Sequence, residues 1–281
     1  MRTAFVVLTY NRSDALLAVL RALAPQCGPG DAVVIADDGS RPEHVAAIRR
    51  GLPRFACPVR HVWHPDTGFT AARARNLGAS SAGADYLVFL DGDCVPNARF
   101  AQQHRQLAQH GFFVNGSRVL VSKRLTARTL AGAADLAAFS SAQWLRARLS
   151  GDVNKLTQLV QWADAPWRTD AKFRWKGIRS CNFGLWYGDL QAVNGFDESF
   201  EGWGHEDADL ALRLHSHGSR RKNGFLATEV FHLWHPESSR IHEVQNRDRV
   251  LARAHSRLIR AEVGLAEAGN HLDVVTTVLS H

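Results

Sequence analysis

Tyr86-Leu87-Val88-Phe89-Leu90-Asp91-Gly92-Asp93 is the stretch whose reading decides the fold. Its apolar run, with β-branched and aromatic residues in it, is too short for a membrane span and fits a strand buried on both faces. The run ends abruptly at Asp-Gly-Asp. On an extended backbone, side chains two positions apart share a face, so Asp91 and Asp93 point the same way. Two carboxylates that close repel unless a cation sits beside them. Oxygen ligands at the carboxyl end of a buried strand suit a hard divalent ion such as Mn²⁺ or Mg²⁺. Open α/β sheets also bind their ligands outside the carboxyl ends of strands. An isolated Asp-Gly-Asp also closes a strand as an Asx turn, and the rest of the chain argues against so plain a role.

The 281 residues, 45% of them hydrophobic, suffice for a full core. A net charge of +7 favours anionic partners: nucleotide phosphates, nucleic acid or an acidic membrane surface. Cys27, Cys57, Cys94 and Cys181 form no CxxC pair and read as reduced thiols of a cytoplasmic protein. The N-terminal apolar residues Ala4 to Leu8 read as a strand, not as a secretory core segment. No apolar run approaches the length of a membrane helix. The expectation is a soluble protein, at most peripheral to the inner face of a membrane.

Outward from the opening strand, strand and helix alternate. Ala4–Leu8 is a buried strand, and Asp14 to Ala24 a helix with Ser13 as N-cap. Ala32–Ala36 is a second strand ending in Asp37-Asp38-Gly39-Ser40. A helix over Pro42 to Arg50, a strand over Val59 to Trp63 and a helix carrying Ala71, Arg73, Arg75, Asn76 and Leu77 follow. This alternation predicts a parallel α/β sheet with right-handed crossovers. Beyond it, Phe112–Val114 and Val119–Val121 read as short strands and Leu125 to Leu149 as helix. Trp162, Trp167 and Trp175 sit among Pro and charged residues, and tryptophan is more often core than binding platform. Arg179–Trp186 reads as a strand, and Asp189–Val193 as a short helix. Gly202-Trp203-Gly204-His205-Glu206-Asp207 leads into a helix that Gly218 stops. Acidic residues at its start also suit the helix dipole. Val230–Pro236 reads as the last strand, ending in His232 and His235, and Arg240 to Ala268 as an arginine-rich helix.

These polar residues sit where a nucleotide-sugar enzyme needs them, at the carboxyl edge: Thr9, Tyr10, Asn11, Asp38, Asp91 and Asp93. Tyr10 and Asp38 offer a wall and an acceptor to a uracil, and a metal with Arg75 offers positive charge to a diphosphate. Asp207 is the candidate base for an acceptor hydroxyl. Leu8-Thr9-Tyr10-Asn11, Asp37-Asp38-Gly39-Ser40, Ala74-Arg75-Asn76 and Asp91-Gly92-Asp93, in that order, resemble the family 2 glycosyltransferases of GT-A fold. Phe196-Asp197-Glu198 followed by Gly202-Trp203-Gly204-His205-Glu206-Asp207 is similar to the WGxED motif. β-1,4-Galactosyltransferases, polypeptide N-acetylgalactosaminyltransferases and bacterial chondroitin and hyaluronan polymerases share that motif.

The resemblance implies a Rossmann-like, mostly parallel α/β sheet flanked by helices. It implies one catalytic domain over 1–240, with 1–100 for the nucleotide, 179–240 for acceptor and metal, and 241–281 as a helical extension. It further implies an inverting, metal-dependent transfer of a hexose or N-acetylhexosamine from a UDP-sugar to a hydroxyl of a glycan or glycoconjugate. Asp91 and Asp93 then correspond to the metal-binding carboxylates, with Gly92 beside the nucleotide. His235 and His232 complete the metal ligands, Asp207 is the base, Glu206 holds the acceptor and Trp203 lies between donor and acceptor. At the position of His205 the galactosyltransferases carry glycine. A nucleotidyltransferase is the rival enzyme, but it would show a glycine-rich basic loop where this chain has Thr9-Tyr10-Asn11-Arg12. A basic nucleic-acid or membrane-binding module is the non-enzymatic rival. The arginines are dispersed and no helix-turn-helix or zinc module appears, so nucleic acid is not an expected partner. Weak docking of Arg240 to Arg260 on anionic lipid is expected.

Overall fold

The computed structural model describes residues 1–162, 164–170, 172–174, 177–200, 202–236 and 241–280. Four parallel strands form its centre: β1 (Thr3–Thr9), β2 (Ala32–Asp37), β3 (Val59–Trp63) and β4 (Tyr86–Asp91), in the order β3-β2-β1-β4. β1, β2 and β4 are strands that unbroken apolar runs predict, because each is covered on both faces, whereas β3 carries Arg60 and His61 within it. Helices α1 (Ser13–Leu23), α2 (Pro42–Gly51) and α3 (Ala71–Ser80) make the crossovers. Side chains alternate between two cores: Phe5, Val7, Val88 and Leu90 join Leu16, Leu20 and Ile48 on one face. Ala4, Val6, Leu87 and Phe89 meet Ala72, Leu77, Leu210 and Leu214 on the other. Gly78 lets α3 lie close to the sheet, since a Cβ there would come within 2.7 Å of Val6 Cγ1.

After β4 the chain makes β5 (Cys94–Pro96), α4 (Phe100–Leu107), β6 (Phe112–Asn115), β7 (Ser117–Leu120), α5 (Lys123–Leu130) and α6 (Ser141–Leu149). Then come β8 (Asn182–Trp186), α7 (Tyr187–Ala192), α8 (Glu206–His217), β9 (Arg220–Asn223), β10 (Glu229–His232), α9 (Glu243–Ser256) and β11 (Val275–Ser280). The main sheet runs β11-β3-β2-β1-β4-β8-β6-β9, and β5-β10-β7 form a small second sheet. β8 is antiparallel to β4, so the sheet is mixed, though mostly parallel in its first half.

Several elements differ from the sequence expectation. Ser13 is not an N-cap: it is the first helical residue, and its hydroxyl faces His44 Nδ1 at 3.0 Å. The helix expected over 125–149 is two, α5 and α6, parted at Gly132, whose φ is +74°. The C-terminal segment is not helical throughout. Arg240 and the expected loop residue Trp175 lie outside the described residues; α9 ends at Ser256, and β11 adds an antiparallel edge strand to β3. β10 is therefore not the last strand. Trp162 and Trp167 are 53% and 48% exposed, against the usual core preference.

Candidate active site

The register of the central strands brings the polar loops to one edge. Leu8 pairs with Asp91 and Thr9 with Asp37, so the ends of β1, β2 and β4 lie side by side. The Asp38 N–H donates to the Thr9 carbonyl (3.0 Å), and the Gly92 N–H to the Leu8 carbonyl (2.7 Å). A Cβ on Gly92 would stand 2.7 Å from that carbonyl oxygen, which is why glycine parts the two aspartates. Asn11, at φ +49°, ties two loops together: its N–H donates to Ser40 Oγ (2.8 Å), and its Oδ1 accepts the Arg41 N–H (2.9 Å). Tyr10 is exposed and donates its hydroxyl to Asp66 Oδ2 (2.8 Å), a bond that raises its pKa. Asp38 is buried and already accepts the Thr70 N–H (3.0 Å) and hydroxyl (2.5 Å). Its carboxylate thus fixes the start of α3 and offers less to a base than the sequence suggests. Thr9 Oγ1 is buried without a hydrogen-bond partner among the described residues.

On the other side of Gly92, β10 and its extension meet Asp93. His235 Nε2 lies 3.3 Å from Asp93 Oδ2, and His232 Nε2 lies 3.8 Å from Oδ1. Cys94, paired with His232 across β5 and β10, fixes the strands beneath them. His235 Nδ1 donates to the Pro236 carbonyl at 2.7 Å, which leaves Nε2 as the ring nitrogen that faces Asp93. Burial lowers the His232 pKa against the pull of Asp93, and the neighbouring Arg118 and His235 lower it further. Imidazole that stays neutral is imidazole that can ligate. One carboxylate with an imidazole nitrogen near each of its oxygens suits Mn²⁺ and related divalent ions. Ligand atoms of Asp93, Cys94 and His232 lie within 4.8 Å of one another; the Cys94 thiol is wholly buried, and burial raises its pKa strongly.

Arg75 joins the two halves. Its guanidinium, 3% exposed, donates from Nη2 to Asp91 Oδ1 (3.0 Å) and from Nη1 to Glu206 Oε1 (3.1 Å), and it lies 5.3 Å from the Phe196 ring centre. Burial acts to lower its pKa, but the Asp91 and Glu206 charges overcome that and hold it high. The sequence suggests Arg75 for the diphosphate; in the fold it is engaged by two carboxylates and orients both.

Asp207 follows Glu206 in the first turn of α8. It accepts the Ser180 N–H at 3.2 Å and the Ala208 N–H at 2.7 Å. Burial and then the Glu206 charge push its pKa up to about 7, with Arg75 opposing. A carboxyl poised there can take a proton near neutrality. The loop before α8 presents Trp203, 37% exposed, and carries a run of left-handed backbone: Gly202 at φ +72°, Gly204 at +106° and His205 at +73°. A left-handed residue at 205 is natural for glycine and strained for histidine.

The fold therefore gathers Asp93, His232 and His235 as one group and links Asp91, Arg75, Glu206 and Asp207 as another. Thr9, Tyr10, Asn11 and Asp38 lie along the adjoining loops. Sequence reasoning missed Arg12, 4.0 Å from Asp93 Oδ2, Thr70 under Asp38, and Ser180 on Asp207. Arg12 stands in the loop already singled out. Thr70 and Ser180 carry no local signal, because long-range folding alone brings them there.

The family model described as Glycosyl transferase family 2 matches residues 4–158, and one described as N-terminal domain of galactosyltransferase matches residues 167–236. The chain is 30% identical over 230 residues to a validoxylamine A glucosyltransferase of Streptomyces hygroscopicus subsp. limoneus, covering 76% of this chain and 48% of that one. It is 27% identical over 234 residues to a chondroitin synthase of Escherichia coli, again over 76% of this chain but 32% of the other. The chain thus spans about half the length, or less, of these curated relatives. A mannosyltransferase from Pyrobaculum calidifontis, solved with GDP-Man and Mn²⁺, shares the fold with a TM-score of 0.59 at 16% identity, over 91% of this chain and 64% of that one. With the first family model covering more than half its length, and its motifs gathered on one edge of a mixed α/β sheet, the chain belongs to glycosyltransferase family 2.

Proposed function

We propose that the chain transfers a hexose or N-acetylhexosamine from a UDP-sugar to a hydroxyl of a glycan or glycoconjugate, with inversion at the anomeric carbon. The observation that carries this reading is the Asp91–Arg75–Glu206 chain of ion pairs, which couples the nucleotide edge to the carboxyl of Asp207. Asp93, His232 and His235 are the residues that would hold a divalent cation, with Asp91 beside them. When bound, such an ion supplies Lewis-acid stabilisation of the departing diphosphate. Tyr10 walls the base, and Thr9, Asn11, Asp38 and Gly92 shape the loops that receive the nucleoside. Glu206, held by Arg75, accepts hydrogen bonds from the acceptor sugar, and Trp203 offers it an apolar face. Asp207 takes the proton of the attacking hydroxyl as that oxygen bonds to the anomeric carbon from the face opposite UDP. One displacement inverts the configuration. The test is thermal shift and turnover with a panel of UDP-sugars and GDP-mannose, with Mn²⁺ and with EDTA. Stabilisation by UDP only with Mn²⁺, and transfer abolished by chelation, are expected. Full transfer after exhaustive chelation, or preference for the guanine nucleotide, overturns the reading.

A further inference from the structure

Trp162 and Trp167 have no part in the chemistry above, yet the fold fastens them, exposed, to the edge of the sheet where that chemistry sits. β6 and β9 run parallel to each other and antiparallel to β8, so both end where β8 begins. Phe183 of β8 pairs with Asn115, and Asn115 pairs with Asn223, the last residue of β9. β8 begins at Asn182, two residues after the Ser180 whose N–H donates to Asp207. Asn115 Oδ1 accepts the Arg179 N–H (3.1 Å), which ties the end of β6 to the residue before Ser180. The turn that leaves β9 therefore lies two strand spacings, about 10 Å, from the strand start beside Asp207.

Buried cations hold the two tryptophans to this turn. Arg168 is wholly buried; its Nη1 donates to the Asn223 (2.8 Å) and Phe225 (2.7 Å) carbonyls, and its Nη2 to the Trp162 carbonyl (2.7 Å). The Trp162 N–H donates to the Leu226 carbonyl (2.7 Å), and Lys222, buried on β9, pairs with Asp164 at 2.7 Å. A buried guanidinium is costly unless its donors are met, so these bonds keep the two segments together. The Trp162 and Trp167 ring centres are 6.4 Å apart with their planes at 88°, and the Arg168 guanidinium lies 4.5 Å from the Trp167 ring centre. The rings thus form a right-angled corner, anchored at its base and open to solvent. A platform fixed in advance loses little freedom when a ligand settles on it. The C–H bonds on a pyranose face are slightly positive and pack on the negative face of an aromatic ring, while the hydroxyls at its rim stay hydrated.

We propose that Trp162 and Trp167 form a subsite for pyranose rings of the acceptor beyond the one that receives the sugar, so that the acceptor is an oligosaccharide or polysaccharide and not a single sugar. The proposal rests on Asp207 facing the acceptor. Continuity of the corner with the strand ends beside Asp207 favours this occupant, because a chain of a few sugars spans that gap.

The test is calorimetric titration of the full chain, with and without UDP and Mn²⁺, using cellotetraose, chitotetraose and β-1,4-galactotetraose beside glucose, N-acetylglucosamine and galactose. At least one tetrasaccharide is expected to bind about ten- to a hundredfold more tightly than its monosaccharide, the range for stacking on two aromatic rings. Trp162→Ala/Trp167→Ala should reduce that tetrasaccharide to the level of the monosaccharide and leave Mn²⁺-dependent UDP affinity unchanged. Trp162→Phe/Trp167→Phe, which keeps an aromatic face at each position, should retain most of the advantage. Leu149→Ala/Leu272→Ala, which removes exposed apolar side chains elsewhere, should retain all of it. Trp167→Ala alone carries the same comparison if the double variant does not fold. No length advantage with any of the three sugars, an advantage that survives Trp162→Ala/Trp167→Ala, or equal loss in the leucine pair overturns the proposal. So does a dimer in sedimentation that Trp162→Ala/Trp167→Ala dissociates, which would give the corner to a second copy of the chain. Absence of UDP binding counts against the transferase reading and leaves the comparison of tetrasaccharide with monosaccharide, made without UDP, standing.

Discussion

Asp207 and Asp93 are both carboxylates of the proposed site, yet their surroundings give them separable roles. Asp207 accepts two backbone N–H groups at the start of α8, whereas Asp93 faces two imidazoles. Asp207→Asn keeps size and shape but cannot take a proton. Turnover should fall about 10²–10⁴-fold, the usual range for a lost general base, with Mn²⁺-dependent UDP affinity nearly unchanged. Asp93→Asn should weaken both. Near-normal turnover in Asp207→Asn would leave Asp207 a helix-start residue, a role asparagine fills almost as well. The pH dependence follows from the same burial. The folded pKa of Asp207, raised to about 7, exceeds its ordinary 3.8. Between those values the folded chain keeps a proton that the unfolded chain has released, so this group makes stability fall as pH rises through the window. Turnover should rise with pH through about 7 as the base ionises, and Asp207→Asn should lose that limb. Comparing Tm against pH for the two proteins checks the stability sign: Asn should flatten the decline.

At the scale of elements, α8 is held in place by a charge network that the chain order conceals. Arg253, on α9, donates to Asp209 Oδ1 and reaches Asp197 Oδ2, each at 2.7 Å. Arg213 donates to Asp209 Oδ2 at 2.8 Å and to the Val193 and Gly195 carbonyls. Asp197, Asp209 and Arg213 are wholly buried. Arg253→Ala would leave Asp197 with its Ser199 N–H bond and no facing cation. A loss of about 3–5 kcal/mol is expected, the range for breaking a buried pair from one side, read by chemical denaturation. A loss under about 1 kcal/mol would show that solvent replaces the guanidinium. The elements missed by eye share a reason. β9 reads Arg220-Arg221-Lys222-Asn223, with no apolar pattern at all, and it pairs through its backbone at the sheet edge. β11 is another edge strand, short and half exposed, whose Val275-Thr276-Thr277-Val278 run carries β-branched residues but no buried face.

For the molecule as a whole, the charge of +7 is less available than the sequence suggests. On α9 and after it, Arg249 donates to Ser199, Arg253 faces two buried aspartates, and Arg260 donates to the Gln191 and Ala192 carbonyls. No described helix is long and apolar enough to cross a membrane. Docking on anionic lipid should therefore be weak and lost on adding salt, at about 1 kcal/mol for each basic residue left near the surface. Co-sedimentation with anionic vesicles checks it: strong binding that survives salt would show a surface these contacts do not account for.

The central sheet was legible in the chain because strands covered on both faces must be apolar throughout, and each of the first such runs stops at polar residues. Asp91 and Asp93 could be picked out for the same reason, since they end an apolar run, whereas Glu206 and Asp207 begin a helix and were legible through the motif Gly202-Trp203-Gly204-His205-Glu206-Asp207. What no local pattern could show is which of them meet. Arg75 and Glu206 are separated by 131 positions, Ser180 and Asp207 by 27, and Arg253 and Asp209 by 44. Periodicity and turn chemistry act over a few residues. Ion pairs and backbone donors act through space, and only the folded sheet sets those distances.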